Sequence, residues 1–420
     1  MVQNETGIES LSLRASLFKF WQILLWTITG YCWLIWAKLF CIRFGLRILH
    51  LFGKPISSDP PCNNPECDFG SFWPAGLLAR SGDFHRIYDP SSFLIFQQHF
   101  LAPYFQIDAF LYPPFVLLPM SLLSFLPFNT AFFAWTIVYC SIAGLCLRRA
   151  GLSWQLVLAS LLCPAAMWNI EIGQFSVLLG SLLVAGLLLF CQNRFLAGMF
   201  LGLLGLKPQE GVLLPIVLLG ARGWRVAGVI IGVLSLLLIA TLICFGPNVW
   251  NVFEQIGQPY AVHVLQAAFV PFEYFGGGVS VFWMVRSLGA GLSIAYIVQG
   301  GISICAALIC FRIWRRRIMS LSGMVAATVM LSLLATPYGF LNDMFAGSVM
   351  LAVMVEKRNW KLRFSYVLFW LWPCFGQFLT IKTGVLFTPA VILGALWGIL
   401  RDEDYDLAIQ FRELRQALIK

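Results

Sequence analysis

The chain has 420 residues, of which 60% are hydrophobic and only 11% charged, where an ordinary soluble domain carries about a quarter charged residues. That composition excludes a soluble fold, and at about 20 apolar residues per span the length has room for roughly ten to thirteen membrane helices. A formal charge of +9 would point to nucleic acid in a soluble protein; here Lys and Arg stand in short clusters between apolar runs, as in cytoplasmic loops, and no nucleic-acid partner is expected.

The first apolar run begins near Phe18. It is too long for a cleaved leader and no small-residue cleavage site follows it, so 18–41 is the first expected span. A long polar segment, about 42–110, comes next. Further spans are expected at 129–147, 153–168, 175–191, 195–210, 211–221, 226–245, 288–311, 320–336, 343–355, 364–379 and 384–400. Several are short for a bilayer, which is tolerated where they line a protein-enclosed cavity. The expected fold is all-α, a polytopic helical bundle over 1–400. A cytoplasmic amphipathic tail, 401–420, follows, in which acids, bases and apolar residues alternate at helical spacing.

The basic clusters are Arg148-Arg149, Arg194, Arg222 with Arg225, Arg312 with Arg315-Arg316-Arg317, and Lys357-Arg358 through Lys361 and Arg363. With these inside, 163–174, 206–210, 246–286 and 336–343 fall outside. The long first loop joins that outer set if the first span runs from inside to outside and 110–126 is re-entrant. Lys38, Arg43, Arg47 and Lys54 follow the first span and argue for the opposite orientation of that helix.

Ten of the twelve cysteines lie in or beside apolar runs, where cysteine behaves as a small hydrophobe. Cys62 and Cys67 instead flank Asn63-Asn64-Pro65-Glu66 in the first loop. A disulfide between them is expected in an oxidising compartment, where it would restrain the chain before Asp68; the alternative is two free thiols. No cysteine or histidine spacing fits a zinc site, and neither metal nor cofactor is expected.

Polar residues at membrane boundaries carry the remaining signal. Asp68 is either a helix-start or solvated acid, or a base. Lys207 either snorkels at a helix end or meets phosphate. Gln174 either bonds between helices or touches substrate, and Asp343 either starts a helix or belongs to a site. Tyr112-Pro113-Pro114 shapes the backbone, and His85, His99 and His263 read as surface residues.

In chain order the elements are Asp68-Phe69, Leu78 to Tyr88, Tyr112 to Pro114, Gly173-Gln174, Leu206 to Pro208 and Arg222-Gly223-Trp224-Arg225. As an ordered set over about 65–350 they resemble glycosyltransferase family 87, a branch of the C-type membrane glycosyltransferases that includes polyprenol-phosphate-mannose-dependent mannosyltransferases. The resemblance implies a C-type membrane fold with an extracytoplasmic first loop. The implied reaction moves a sugar, a hexose such as mannose, from a polyprenyl-phosphate donor to a lipid or glycan acceptor. The expected setting is a bacterial inner membrane, with the site facing the periplasm or exterior and membrane lipids as partners.

In the family an aspartate at the position of Asp68 takes the proton of the acceptor hydroxyl, a task that needs a carboxylate within hydrogen-bond reach. The leaving phosphate needs positive charge or aligned N–H donors. Lys207 matches the family pattern for that role, and Arg286 enters only because it falls on the outer side. Gln174, Tyr88, Tyr112, Asn342 and Asp343 complete the expected substrate-binding set. The chain departs from the family where the later Pro-containing loop often carries histidine: here Asn342-Asp343 follow Thr336-Pro337-Tyr338, so no histidine role carries over. The alternative is a transporter or lipid flippase without catalysis, but the two related halves usual in such proteins are missing. A purely structural subunit leaves the ordered polar set unexplained.

Overall fold

The computed structural model of the protein describes residues 2–51, 68–101, 109–271 and 273–419. Cys62, Cys67 and much of the first loop lie outside these residues. The described chain is helical, with no strand among the described residues beyond one isolated bridge between Gly278 and Phe340. Five helices are long and apolar enough to cross a membrane: Ser16–Leu46 within Val2–Leu51, Phe128–Arg149, Trp224–Phe245, Leu292–Arg316 and Phe364–Thr383. Trp154–Leu161 and Pro164–Ile172 form a sixth, bent by 53°. Ser153 starts this pair by accepting from Leu156 N, and Pro164 restarts it after the break, where its missing N–H has no helical partner to lose.

Shorter helices fill the centre. Ser176–Leu188 is buried from Ser176 through Leu187, and Leu321–Ala335 from Ser322 onward. A helix that is apolar on every side belongs inside the bundle. Arg194–Leu206, Pro208–Ala221, Phe345–Lys357 and Thr388–Ile419 complete the array. The expected division of 195–221 at residue 210 is shifted: Lys207 is extended, with φ −147° and ψ 79°, and Pro208 starts the next turn. The last helix also does not stop at 400. Beyond the expected span Arg401 is exposed, but Asp402 and Glu403 are buried.

The helices alternate between two ends. At one end Gln22 and Leu362 exchange hydrogen bonds of 3.0 and 2.8 Å, and Ser153 donates to Glu356 at 3.3 Å. There Asp402 pairs with Arg358 and Arg363 and accepts from Tyr366 Oη at 2.7 Å, while Glu403 accepts from Ser320 N and Oγ, both at 2.7 Å. Phe190, shortly before Arg194, packs at a tilt against Trp314, next to the Arg315 to Arg317 cluster. All the basic clusters therefore gather at this end. The first helix starts here and reaches the opposite end, where Arg43 Nη1 lies 2.5 Å from Glu171 Oε1. Arg43, whose position argued for the reverse orientation, is the cation of an ion pair at that far end.

Phe69–Ser81 and Leu117–Leu123 cross at close range. A Cβ on Gly76 would stand 2.2 Å from the Met120 carbonyl oxygen, so only glycine admits this approach. The stretch between Tyr112 and Phe128 enters and leaves beside the same turn, since Phe72 packs on Tyr112 with ring centroids 5.0 Å apart and Phe69 on Phe128 at 5.3 Å.

Candidate functional site

Three helix breaks meet at the end opposite the basic clusters. The first is the turn after Pro164–Ile172. Gly173 ends that helix at φ +76°, a left-handed conformation that glycine adopts without steric cost, and a Cβ there would lie 2.5 Å from Phe69 Cβ. This contact sets the next residue, Gln174, beside Asp68 at the head of Phe69–Ser81. Gln174 Nε2 donates to Asp68 Oδ2 and, at 2.6 Å, to the Tyr112 hydroxyl. Gln174 Oε1 is buried and has no hydrogen-bond partner.

The second break is Lys207 and the third is the turn Leu341–Met344. Lys207 Nζ donates to Asp343 Oδ1 and, at 2.9 Å, to Ser176 Oγ. Ser176 Oγ donates in turn to Asp343 Oδ1 at 2.7 Å and accepts from Asn342 Nδ2 at 3.2 Å. Asp343 Oδ2 accepts from Phe340 N at 2.9 Å, fixing the carboxylate from its own turn. Asn169 ties the turns together: its Nδ2 donates to the Asn342 carbonyl at 2.9 Å and its Oδ1 accepts from Ser176 N at 3.0 Å. Glu210 Oε1 stands 3.7 Å from Lys207 Nζ. Lys207, Asp343 and Glu210 are all buried. Burying charge is costly unless it is paired, and these groups pair with one another.

Aromatic rings enclose the Asp68 side of the cluster. Phe72, Tyr112 and Phe175 pack mutually at 5.0 to 5.7 Å between centroids, with Trp135 at 5.7 Å from Phe175. Asp68 lies outside the spanning helices, yet burial pushes its carboxyl up to about 6, with the Gln174 hydrogen bond and the Lys207 charge pulling it back. A carboxylate held there is ionised at neutral pH and basic enough to accept a proton.

Of the residues expected from the sequence, Asp68, Tyr112, Gln174, Lys207, Asn342 and Asp343 come together. Tyr88 supports them indirectly, its hydroxyl donating to the Tyr112 carbonyl at 3.1 Å. Arg286 does not join them: its guanidinium donates to the carbonyls of Ala290 at 3.0 Å and Ala267 at 3.3 Å. The three histidines are exposed, as expected. Sequence reasoning missed Asn169, Ser176 and Glu210. Asn169 and Glu210 stand in or beside apolar runs, the signal that would have found them; Ser176 carries no such signal. No group of three or more His, Cys, Asp or Glu among the described residues is placed to hold a metal ion.

The model of glycosyltransferase family 87 matches residues 110–337, which takes in Tyr112, Gln174, Lys207 and the Arg222 to Arg225 loop and leaves Asp68, Asn342 and Asp343 outside the matched range. No curated protein and no solved structure matches the chain significantly. The matched range is more than half of the chain, it runs through the all-α membrane bundle and most of its buried polar cluster, and the chain belongs to glycosyltransferase family 87.

Proposed function

We propose that this membrane glycosyltransferase moves a hexose such as mannose from a polyprenyl-phosphate donor to a hydroxyl of a lipid or glycan acceptor, at the extracytoplasmic face. The observation that carries the reading is the meeting of Asp68 and Lys207 in one polar cluster, at the end of the bundle away from the basic clusters. Positive loops stay cytoplasmic, so the cluster faces out, toward a periplasm or exterior. A lipid-linked donor suits a bundle whose polar site is walled by helices, because its tail can remain in the bilayer.

In the reaction Asp68 accepts the acceptor's hydroxyl proton while the hydroxyl oxygen bonds to the anomeric carbon of the donor. The bond from that carbon to the phosphate oxygen breaks, and its electron pair leaves with the polyprenyl phosphate. Lys207 stabilises the charge developing on that phosphate. Gln174 holds the base, and Tyr112, Asn342 and Asp343 shape the substrate's surroundings. The catalytic unit is 1–400, with 401–420 a cytoplasmic tail, and a Cys62–Cys67 bridge restrains the approach to Asp68.

The test incubates purified protein with radiolabelled polyprenyl-phosphate sugars and membrane lipids, and in parallel with nucleotide sugars. Label should pass to lipid or glycan from the lipid-linked donors alone. Transfer from nucleotide sugars instead, or from no lipid-linked donor, would overturn the donor class.

A further inference from the structure

The charge around Lys207 does not balance. One ammonium faces two carboxylates, Asp343 and Glu210, and the three residues are 3%, 5% and 8% exposed respectively. The two carboxylates are held differently. Asp343 is hydrogen-bonded through both oxygens, whereas Glu210 Oε1, 3.7 Å from Nζ, is beyond hydrogen-bond reach and has no hydrogen-bond partner. Lys207 thus makes two hydrogen bonds, to Ser176 and Asp343, and leaves its third N–H toward Glu210. Glu210 also lines a cavity beside the cluster, with Gln209, Ser332, Thr336 and Asp343 as its polar wall and apolar side chains on the rest.

A phosphodiester arriving at Lys207 would add a negative charge to a buried cluster that has one in excess whenever Glu210 is ionised. Like charges at such range in low dielectric cannot all stay ionised. Asp343 is the worse proton acceptor, because its oxygens already receive four donors. Glu210 has the free oxygen. The groups facing it are Lys207 from its own turn, Asp343 from Leu341–Met344 and Ser176, with Ser332 and Thr336 lining the same cavity; Asp68 acts on the cluster through its charge.

We propose that Glu210 controls anion binding at Lys207: the donor's phosphodiester docks as Glu210 takes a proton from water, forming a neutral acid that offsets the added negative charge and leaves the third Lys207 N–H to a phosphate oxygen. This rests on the reading of Lys207 as the phosphate-facing cation. The probe is the methyl phosphodiester of a polyprenol, which keeps a single charge across the working range. Binding is measured in phosphatidylcholine nanodiscs on Asp68→Asn protein, so that neither turnover nor Asp68 contributes.

Affinity should fall by at least about tenfold from pH 6 to pH 9, with proton uptake at pH 9 approaching one when titrations are compared in buffers of different ionisation enthalpy. Adding Glu210→Gln should flatten the pH dependence and tighten binding at pH 9 by about the same factor. A pH-independent affinity, absence of proton uptake, or an unchanged pH dependence in Glu210→Gln would overturn the proposal. Should Glu210→Gln fail to fold, the proton count on the Glu210 form decides alone. Unchanged binding in Lys207→Met would instead remove Lys207 as the phosphate-facing cation. Failure of every form to bind the diester would overturn the lipid-phosphate donor itself, and this proposal with it.

Discussion

Gln174→Leu keeps side-chain volume and removes the Nε2 hydrogen bonds to Asp68 and Tyr112. A hydrogen bond to a charged partner contributes roughly 1.5–3 kcal/mol, and Asp68 keeps some exposure, which favours the lower end. At about 1.4 kcal/mol per unit, losing it raises the Asp68 carboxyl by about one unit, from about 6 to about 7. A base works only when ionised, so turnover rises with pH through that value. The acid limb of the pH–rate profile should therefore move up by about one unit, with the rate above pH 8 returning to within a few-fold of the parent. The assay is transfer of radiolabel from a lipid-linked donor between pH 5 and pH 9. An acid limb that stays in place, with the rate lowered equally at every pH, would refute the reasoning and make Gln174 a packing residue.

Three further predictions follow from other parts of the bundle. Gly173→Ala forces a Cβ to within 2.5 Å of Phe69 Cβ at φ +76° and should cost more than about 2 kcal/mol, visible as a lower thermal midpoint in detergent; an unchanged midpoint would contradict the contact. Asp402→Asn loosens the contacts to Arg358, Arg363 and Tyr366. It should cost about 1–2 kcal/mol, tempered by the partly exposed arginines. Transfer at 25 °C should stay near the parent rate, because this clasp lies at the far end from the cluster; a loss comparable to that of Lys207→Met would show the two ends to be coupled. Single cysteines at Ser91 and Gln258, both exposed, in a chain freed of native cysteines, should each react with an impermeant maleimide in intact spheroplasts. Labelling at Gln258 without labelling at Ser91 would place Asp68 and Lys207 on opposite faces and end the catalytic assignment.

Much of this architecture was legible because it follows from hydropathy and from the cost of polar groups in lipid. Apolar runs located the helices between 128 and 245 and from 292 onward, though not Phe69–Ser81, Pro90–Phe100 or Gln258–Gln266 in the polar stretches, and basic clusters sorted their ends. The first helix defeated that logic because Arg43 is a local ion-pair partner of Glu171, a contact 128 residues apart in sequence that charge counting cannot see. Asp68, Gln174 and Lys207 were singled out as polar residues near membrane boundaries that match elements of the family. Ser176 was not, since a serine can start an apolar helix without comment, and its part in the cluster comes from the fold bringing Lys207 and Asn342-Asp343 to it. Arg286 illustrates the converse error: sidedness alone recruited a residue whose hydrogen bonds are to nearby loop carbonyls. The break at Lys207 rather than at residue 210 was written in Pro208, which cannot continue the preceding helix.

The proposed role of Asp68 is to remove the acceptor's proton in a glycosyl transfer. Its most direct test compares Asp68→Asn with the parent for transfer from a lipid-linked sugar at pH 8, alongside the thermal midpoint of each. A general base contributes about 10²- to 10⁴-fold. With Asp68 as the base, the loss should be at least about a hundredfold, with a midpoint close to the parent's. Retention of more than about a tenth of the activity in a folded Asp68→Asn protein would contradict it.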